Sequence, residues 1–353
     1  MDIYVNCRFL TQKITGAQRF AVEISKQLKK LNPDINFISP KNIIHREIAD
    51  ELDVKVVGKS TGYLWEQVDL PLYLKTKGNP LLINLVNVAP LMYKNQVVTI
   101  HDISWKHFPD SVSRQFYAVY SFLIPRIAKN SRHIFTVSEF SKKDISSQLG
   151  IHEEKFTVIY NSVSKHFQRL SLKKEKLILS VATLQPYKNL ESLIKAFILL
   201  KNAGKLKKYK LYLVGGINKK VFSNSNISRL VEGREDIHFT GYVSDEDLVK
   251  LYNTAEIFVL PSKFEGFGIP PLEAMACGTP VIVSNAGSLP EVCGDAAYYV
   301  NPYSIEDIAK GIETLINDKK LQLELIQKGL KRVQLFSWEK SAKKLMETVE
   351  KIL

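Results

Sequence analysis

The sequence predicts an α/β fold of two successive doubly wound domains. Short β-branched or apolar runs alternate with amphipathic stretches along 353 residues, the pattern of parallel sheets built from strand–helix–strand units. The length exceeds what one core usually fills, and a prior of about 150 residues per domain gives two. A polar, lysine-rich stretch without apolar period, SKHFQRLSLKKEK at 164–176, separates the two series and reads as a linker.

In the first series, strands are expected at IYVN, NFIS, VKVV, LLINL, VVTIH, HIFTV and FTVIY. The clearest helix is AQRFAVEISKQLKKL, where Phe20, Ile24, Leu28 and Leu31 recur at three- and four-residue steps. In the second, strands are expected at KLILSVAT, YKLYLVGG, DIHFTGY, IFVLPS, TPVIVS and AAYYV, with helices at ESLIKAFILLKNA and DEDLVKLYNTA. The last stretch, SWEKSAKKLMETVEKIL, opens on the cap Ser337 and continues as a helix to the end. The expected domains are 1–165, rejoined by the helix of about 337–353, and 166–336.

Hydrophobic residues make up 45%, charged residues 24% and aromatics 10%, which excludes disordered and collagen-like classes. The net charge of +13 leans to the N-terminal half and attracts phosphates of any kind, leaving nucleic acid, anionic lipid and sugar nucleotides open. Cys7, Cys277 and Cys293 lack CxxC spacing, which argues against a disulfide framework or structural zinc and for a reducing, cytoplasmic setting. MDIYVNCRF reads as a first strand and not as a leader, and no apolar run approaches the 18 or so residues of a membrane span.

The densest motif is FEGFGIPPLEAMACG, residues 264–278. Pro270 and Pro271 suit a first helical turn, where a missing N–H is no loss, and Gly278 suits the position past the helix end. Gly266 and Gly268 let the loop backbone approach a ligand, while free amides at the helix start favour a phosphate. On this reading Glu265 lies on the loop and Glu273 in the first turn, both able to accept hydrogen bonds from hydroxyls. The plain alternatives are a solvated loop charge and an acid complementing the helix dipole.

This stretch, with the strand that follows it, resembles the signature of retaining, nucleotide-sugar-dependent glycosyltransferases of family four, and the similarity runs along nearly the whole chain. The resemblance implies the GT-B fold, two Rossmann-like domains facing across a cleft. It implies that Glu265 binds sugar hydroxyls of the donor and Glu273 the ribose of its nucleotide, with the amides at Phe267, Gly268 and Ile269 on donor sugar and phosphate oxygens. SVATLQPYKNLESLIKAF looks like the family's phosphate-binding segment, with Lys188 as the cation and Asn189 beside it. Relatives often carry a second basic residue early in this segment, where this chain has Thr183. Gly215 and the Tyr242-Val243 backbone, which would receive the base, complete the implied donor contacts.

TGAQRFAVEI places Gly16 before a helix, similar to the family's loop facing donor phosphate or acceptor, although a simple tight turn explains one glycine. His101-Asp102 in VVTIHDISWKHFP is similar to the HD pair of the mannosyl branch, whose histidine lies near the donor sugar; a strand-end histidine and a capping aspartate are the plain reading. In VSEFSKKDI, capping accounts for Ser138 and Ser141, and Asn161 fits turn duty. Asp245-Glu246-Asp247 matches a metal-binding DxD in form, but Ser244 ahead of it makes this a capping box. RQFYAVYSFLIPRIAKNSR, residues 114–132, reads as a core helix with a kink at Pro125, or as an interfacial helix that receives a lipid-linked acceptor.

The implied activity is transfer of a hexosyl unit, by resemblance a mannosyl from GDP-mannose, to a hydroxyl of a surface-polysaccharide or lipid-linked glycan. UDP-hexoses and dTDP-rhamnose remain alternative donors, and sugar-nucleotide binding without turnover an alternative class. His101, Lys188 and Glu265 are the expected catalytic residues, with no metal and no cofactor. The expected setting is the cytoplasm, with peripheral association at the cytoplasmic face of the membrane. The absence of a helix-turn-helix, zinc spacing or RNP-like strand argues against nucleic acid, and a full GxGxxG is missing, which argues against a dinucleotide oxidoreductase.

Overall fold

The computed structural model describes residues 2–216 and 226–353. The chain divides into two compact units, Met1–Asn161 with Ser337–Leu353, and Ser162–Phe336. Each is built on one parallel sheet.

In the first unit the strands are β1 (Ile3–Asn6), β2 (Asn36–Ser39), β3 (Lys55–Val56), β4 (Leu81–Asn84), β5 (Gln96–Thr99), β6 (His133–Thr136) and β7 (Phe156–Val158). Their order across the sheet is β3-β2-β1-β4-β5-β6-β7. Val5 in β1 sits opposite Phe37 and Ile83 on its two neighbours. Strands β1, β4 and β5 are buried at every position, as expected where helices cover both faces of a sheet. Of the stripe on the helix Gly16–Leu31, Phe20, Ile24 and Leu28 are fully buried, whereas Leu31 at the final position is 45% exposed. The terminal helix Trp338–Ile352 belongs to this unit, and Trp338 meets Phe20 edge to face at 6.0 Å.

The second unit carries β8 (Glu175–Val181), β9 (Lys210–Val214), β10 (Ile237–Gly241), β11 (Ala255–Leu260), β12 (Val281–Ser284) and β13 (Ala297–Val300), in the order β10-β9-β8-β11-β12-β13. A continuous core joins Phe197 and Leu193 of the helix Leu190–Asn202 to Ile178, Ile257 and Ile282 on the strands and to Ile312 on the helix Ile305–Asn317. Each of the thirteen runs expected to be strands overlaps one.

One expectation needs correction and another gains detail. Residues 164–176, which connect β7 to β8, pack on the second unit: Phe167 is buried edge-on to Tyr252 at 5.9 Å, and Asn253 accepts from Leu170 N at 2.6 Å and donates to Gln168 O at 3.1 Å. The stretch is polar because it lies on the surface of the second unit, not because it is unattached. The helix Arg114–Asn130 contains Pro125, yet it is no core helix: only Ile124, Ile127 and Ala128 are buried, while Tyr117, Val119 and Phe122 are exposed. Its first turns pack through half-buried rings, with Phe116 stacked on Tyr120 at 3.9 Å. All three cysteines are free and buried, and burial pushes every thiol up.

Candidate active site

The strand order of the second sheet reverses between β8 and β11, and in open α/β sheets ligands bind outside the carboxyl ends of the strands at such a point. The loops that leave β8 and β11 there carry Lys188 and Glu265. Lys188 Nζ donates to both carboxylate oxygens of Glu265 at 2.8 Å, and Ser262 Oγ donates to one of them at 2.9 Å. Glu265 is 7% exposed. The ammonium also lies 5.2 Å from the centre of the Tyr187 ring.

Lys188 is placed by its neighbour. Asn189 takes a left-handed conformation, φ 60°, between the 3-10 turn Pro186–Lys188 and the helix Leu190–Asn202. Its amide nitrogen donates to Pro261 O at 3.0 Å and Pro302 O at 2.7 Å, and its side-chain oxygen accepts from Ser192 Oγ at 2.8 Å. That amide is committed to clamping three segments, so a donor contact from Asn189 falls to its backbone.

The glycines of FEGFG shape the other wall. Gly268 has φ 95°, and a Cβ there would lie 2.7 Å from Leu289 Cδ2. Gly287, which the sequence did not mark, has φ 62°, and a Cβ would meet Glu265 N at 2.8 Å and Glu265 O at 2.9 Å. Ser288 Oγ, also unmarked, bonds to Glu265 O at 3.0 Å and Phe267 O at 2.7 Å, and Ser284 Oγ bonds to Ser262 O. Phe267 is buried against Phe336, edge to face at 5.6 Å. The loop therefore hands Gly268 and Ile269 to the start of the helix Ile269–Ala276, with Pro270 and Pro271 in its first turn and Gly278, φ 69°, beyond its end. Amides at such a terminus attract anions.

Glu273 does not lie in the first turn. It is the fifth residue of the helix, 6% exposed, and accepts from Tyr252 OH at 2.9 Å. Burial against a tyrosine, and not the dipole, accounts for it: the helix starts at Ile269, one turn earlier than an acid at 273 would need. Tyr252 had no signal in the sequence beyond an apolar helix position.

Thr183, Gly215 and Tyr242 follow β8, β9 and β10, so they share one sheet edge with Lys188 and Glu265. Gly215 has φ 146°, and a Cβ would lie 2.1 Å from Ala182 O. This glycine exists so that two strand ends can touch. Thr183 is exposed, Tyr242 is 77% exposed and Val243 is half-buried. The Asp245-Glu246-Asp247 run caps the helix Asp245–Thr254: Ser244 Oγ accepts from Asp247 N at 3.1 Å and donates to its carboxylate at 2.8 Å. Among the described residues no cluster of three His, Cys, Asp or Glu is arranged to hold a metal ion.

In the first unit, Gly16 opens its helix and is exposed, and a Cβ there would meet nothing within 4 Å. His101 is buried, touches Phe20 edge to face at 4.9 Å and places Nε2 3.1 Å from Leu85 O. Burial holds its pKa below the ordinary histidine value, opposed by Leu85 O and Asp102. Asp102 caps the next turn through Ser104 N at 2.9 Å, and Ser138 caps its helix through Ser141 N at 2.9 Å. A buried network that no motif announced lies at the ends of β1 and β4: Glu66 pairs with Arg8 at 3.0 Å and accepts from Asn6, which also donates to Asn84. Burial raises the Glu66 carboxyl, against the pull of Arg8.

Comparison with known proteins places this geometry. Residues 14–166 match the model described as Glycosyltransferase Family 4, and residues 162–332 match Glycosyl transferases group 1. The O-antigen chain mannosyltransferase B of Escherichia coli is 32% identical over 265 residues, which cover 71% of this chain and 68% of that protein. The chain belongs to glycosyltransferase family 4. The O-antigen chain mannosyltransferase RfbU of Salmonella typhimurium is 36% identical over 241 residues, 67% of this chain and 66% of that protein. The serotype-specific mannosyltransferase WbdA of E. coli is 33% identical over 237 residues, of which this family 4 chain spans 29% of the whole. Anabaena HepE, solved with UDP and glucose, superposes with a TM-score of 0.76 at 17% identity over 99% of this chain and 100% of that one. The family 4 chain thus has the two-domain GT-B fold.

Proposed function

We propose that the protein transfers a mannosyl unit from GDP-mannose to a hydroxyl of an O-antigen-type surface glycan, with retention at the anomeric carbon. The observation that carries the reading is Lys188 held on Glu265 at the switch point of the second sheet, in a chain whose relatives are named mannosyltransferases.

The chemistry follows from charge. As the bond from the anomeric carbon to the diphosphate oxygen breaks, negative charge grows on the leaving group. Lys188 and the amides of Gly268 and Ile269 stabilise that charge more than the ground state, which is what lowers a barrier. The acceptor oxygen forms its bond on the face the nucleotide leaves, and its proton passes to a phosphate oxygen. Glu265 accepts from sugar hydroxyls and Glu273 from the ribose. His101, neutral and buried, is given no proton to move. Asp247 is engaged by a helix cap and Asp245 pairs with His166 at 3.4 Å, and the mechanism proposed calls on no divalent ion.

The acceptor is a lipid-linked glycan, and the exposed Tyr117 and Phe122 between Arg114 and Arg126 on the helix Arg114–Asn130 support peripheral contact with an anionic membrane face. No helix among the described residues is long and apolar enough to cross a membrane.

The test mixes the protein with GDP-mannose, UDP-hexoses and dTDP-rhamnose in turn, with a lipid-linked oligosaccharide as acceptor. Release of GDP and an axial product linkage by NMR are expected. Release of another nucleotide moves the donor assignment, and an inverted product ends the mechanism.

A further inference from the structure

At the opposite, N-terminal edge of the second sheet lies a cavity of about 610 Å³. It is far from Lys188: β8 has seven residues, which at about 3.3 Å each separates the two edges by about 20 Å. Arg169, Lys174, Glu256 and Lys319 line it, with Leu170 and Leu323 on its rim.

The charges in it are unevenly matched. Glu256 is fully engaged: one oxygen accepts from Tyr209 OH at 2.8 Å and the other from Lys319 Nζ. Lys174 Nζ has a single protein acceptor among the described residues, the neutral Thr279 Oγ1 at 2.7 Å, and no carboxylate within ion-pair distance. Two of its three N–H groups are left over. Arg169 has no hydrogen bond or ion pair among the described residues, and its stem lies over Gly278, where a Cβ would be 3.0 Å from Arg169 Cδ. The Lys174 ammonium turns inward although the residue as a whole is exposed, and desolvation, with a smaller push from Arg169 and against the pull of Cys277 and Glu256, draws it down to about 8. Two cations thus face one cavity whose lining carboxylate, Glu256, is already taken by Tyr209 and Lys319. The leucines on the rim, 38% and 63% exposed, add apolar surface beside the charge.

We propose that Arg169 and Lys174 bind the phosphate group of an organic phosphate whose apolar part rests on Leu170 and Leu323. Guanidinium and ammonium donate to two or three phosphate oxygens, and the cavity holds a phosphoester with a body of modest size. The site lies outside the transfer machinery, so its loss leaves donor turnover standing.

The experiment is calorimetric titration of the full chain carrying Lys188→Gln, which weakens phosphate binding at the donor site, with inorganic phosphate as probe. Saturable binding is expected, weakened about tenfold or more by Arg169→Gln with Lys174→Gln and retained by Lys174→Arg, at unchanged melting temperature. In protein with native Lys188, the 13C-methylated Lys174 signal should shift with phosphate, which keeps the test open if Lys188→Gln folds poorly. Flotation with phosphatidylcholine vesicles, with and without phosphatidic acid, separates the sources. Capture by phosphatidic acid that the double substitution abolishes identifies a lipid headgroup, and phosphate binding without capture identifies a soluble phosphoester. Phosphate binding and capture that are both absent, or unchanged in the double variant, overturn the proposal.

Discussion

Lys188 Nζ stands 2.8 Å from each carboxylate oxygen of Glu265, with side-chain exposures of 18% and 9%. A pair this sheltered loses much when one partner goes, because the other is left as a buried, unpaired charge. The pairing also fixes the ammonium before any phosphate arrives. Lys188→Ala is expected to lower kcat by about 10²–10³, the usual effect of deleting one donor to a developing anion, with a smaller change in KM. Glu265→Gln keeps the shape but frees the ammonium and weakens the acceptor for the sugar hydroxyls, so kcat should fall and donor KM rise. Steady-state kinetics decide it; an unchanged kcat in Lys188→Ala would remove the lysine from the mechanism.

Gly215 and Gly16 make opposite predictions although both were marked as donor contacts. A Cβ at Gly215 would lie 2.1 Å from a backbone carbonyl that cannot step aside, at φ 146°. Gly215→Ala should cost about 3 kcal/mol or more in urea unfolding. At Gly16 a Cβ meets nothing and the residue opens a helix, so Gly16→Ala should leave stability within about 1 kcal/mol of the original or raise it. If its donor KM nevertheless climbs, the glycine is there for a ligand and not for the turn.

Both sheets were legible because parallel strands covered on both faces write themselves as short apolar runs. LLINL, IFVLPS and TPVIVS need no partner to be recognised. The site was legible only in outline. Glu265 and Lys188 could be named, but their ion pair joins residues 77 apart in sequence, and no local period encodes that. Gly287, which leaves room for the Glu265 backbone, and Ser288, which bonds the carbonyls of Glu265 and Phe267, sit in an unremarkable SNAGS. Glu273 was misplaced by one turn because prolines at 270 and 271 mark a helix start without saying how far on the buried face begins. The helix Arg114–Asn130 misled in the other direction: aromatic content signals burial only when something covers the rings.

The helix cap at Ser244 separates structural from metal chemistry. Ser244→Ala removes the acceptor for Asp247 N and should cost about 1 kcal/mol. Asp245→Asn with Asp247→Asn should leave transfer unchanged, and so should EDTA. Activity that disappears with EDTA and returns with magnesium or manganese would show that these carboxylates, or others, hold an ion.

His101, buried, and His133, half-buried, set an acid limit on stability. His133 is held at about 4 by desolvation and by Lys155, and its Nε2 lies 2.8 Å from Thr157 Oγ1; His101 is lowered by burial as well. Unfolded, both titrate near 6.5. Their folded pKa values are depressed, so below pH 6.5 the unfolded chain takes up protons that the native state refuses. Stability from these groups is complete above about pH 6.5 and is lost as pH falls, at up to about 1.4 kcal/mol per pH unit for each. The lowered carboxyls of Asp69 and Asp236 lose their contributions only nearer pH 4, and the raised carboxyl of Glu66 acts in the opposite sense, so the comparison must be between variants. His133→Gln should flatten the fall in urea-unfolding free energy between pH 6 and 4.5 by about one proton's worth of slope. Parallel curves for the two proteins would mean that His133 titrates alike in both states and that its burial carries no acid sensitivity.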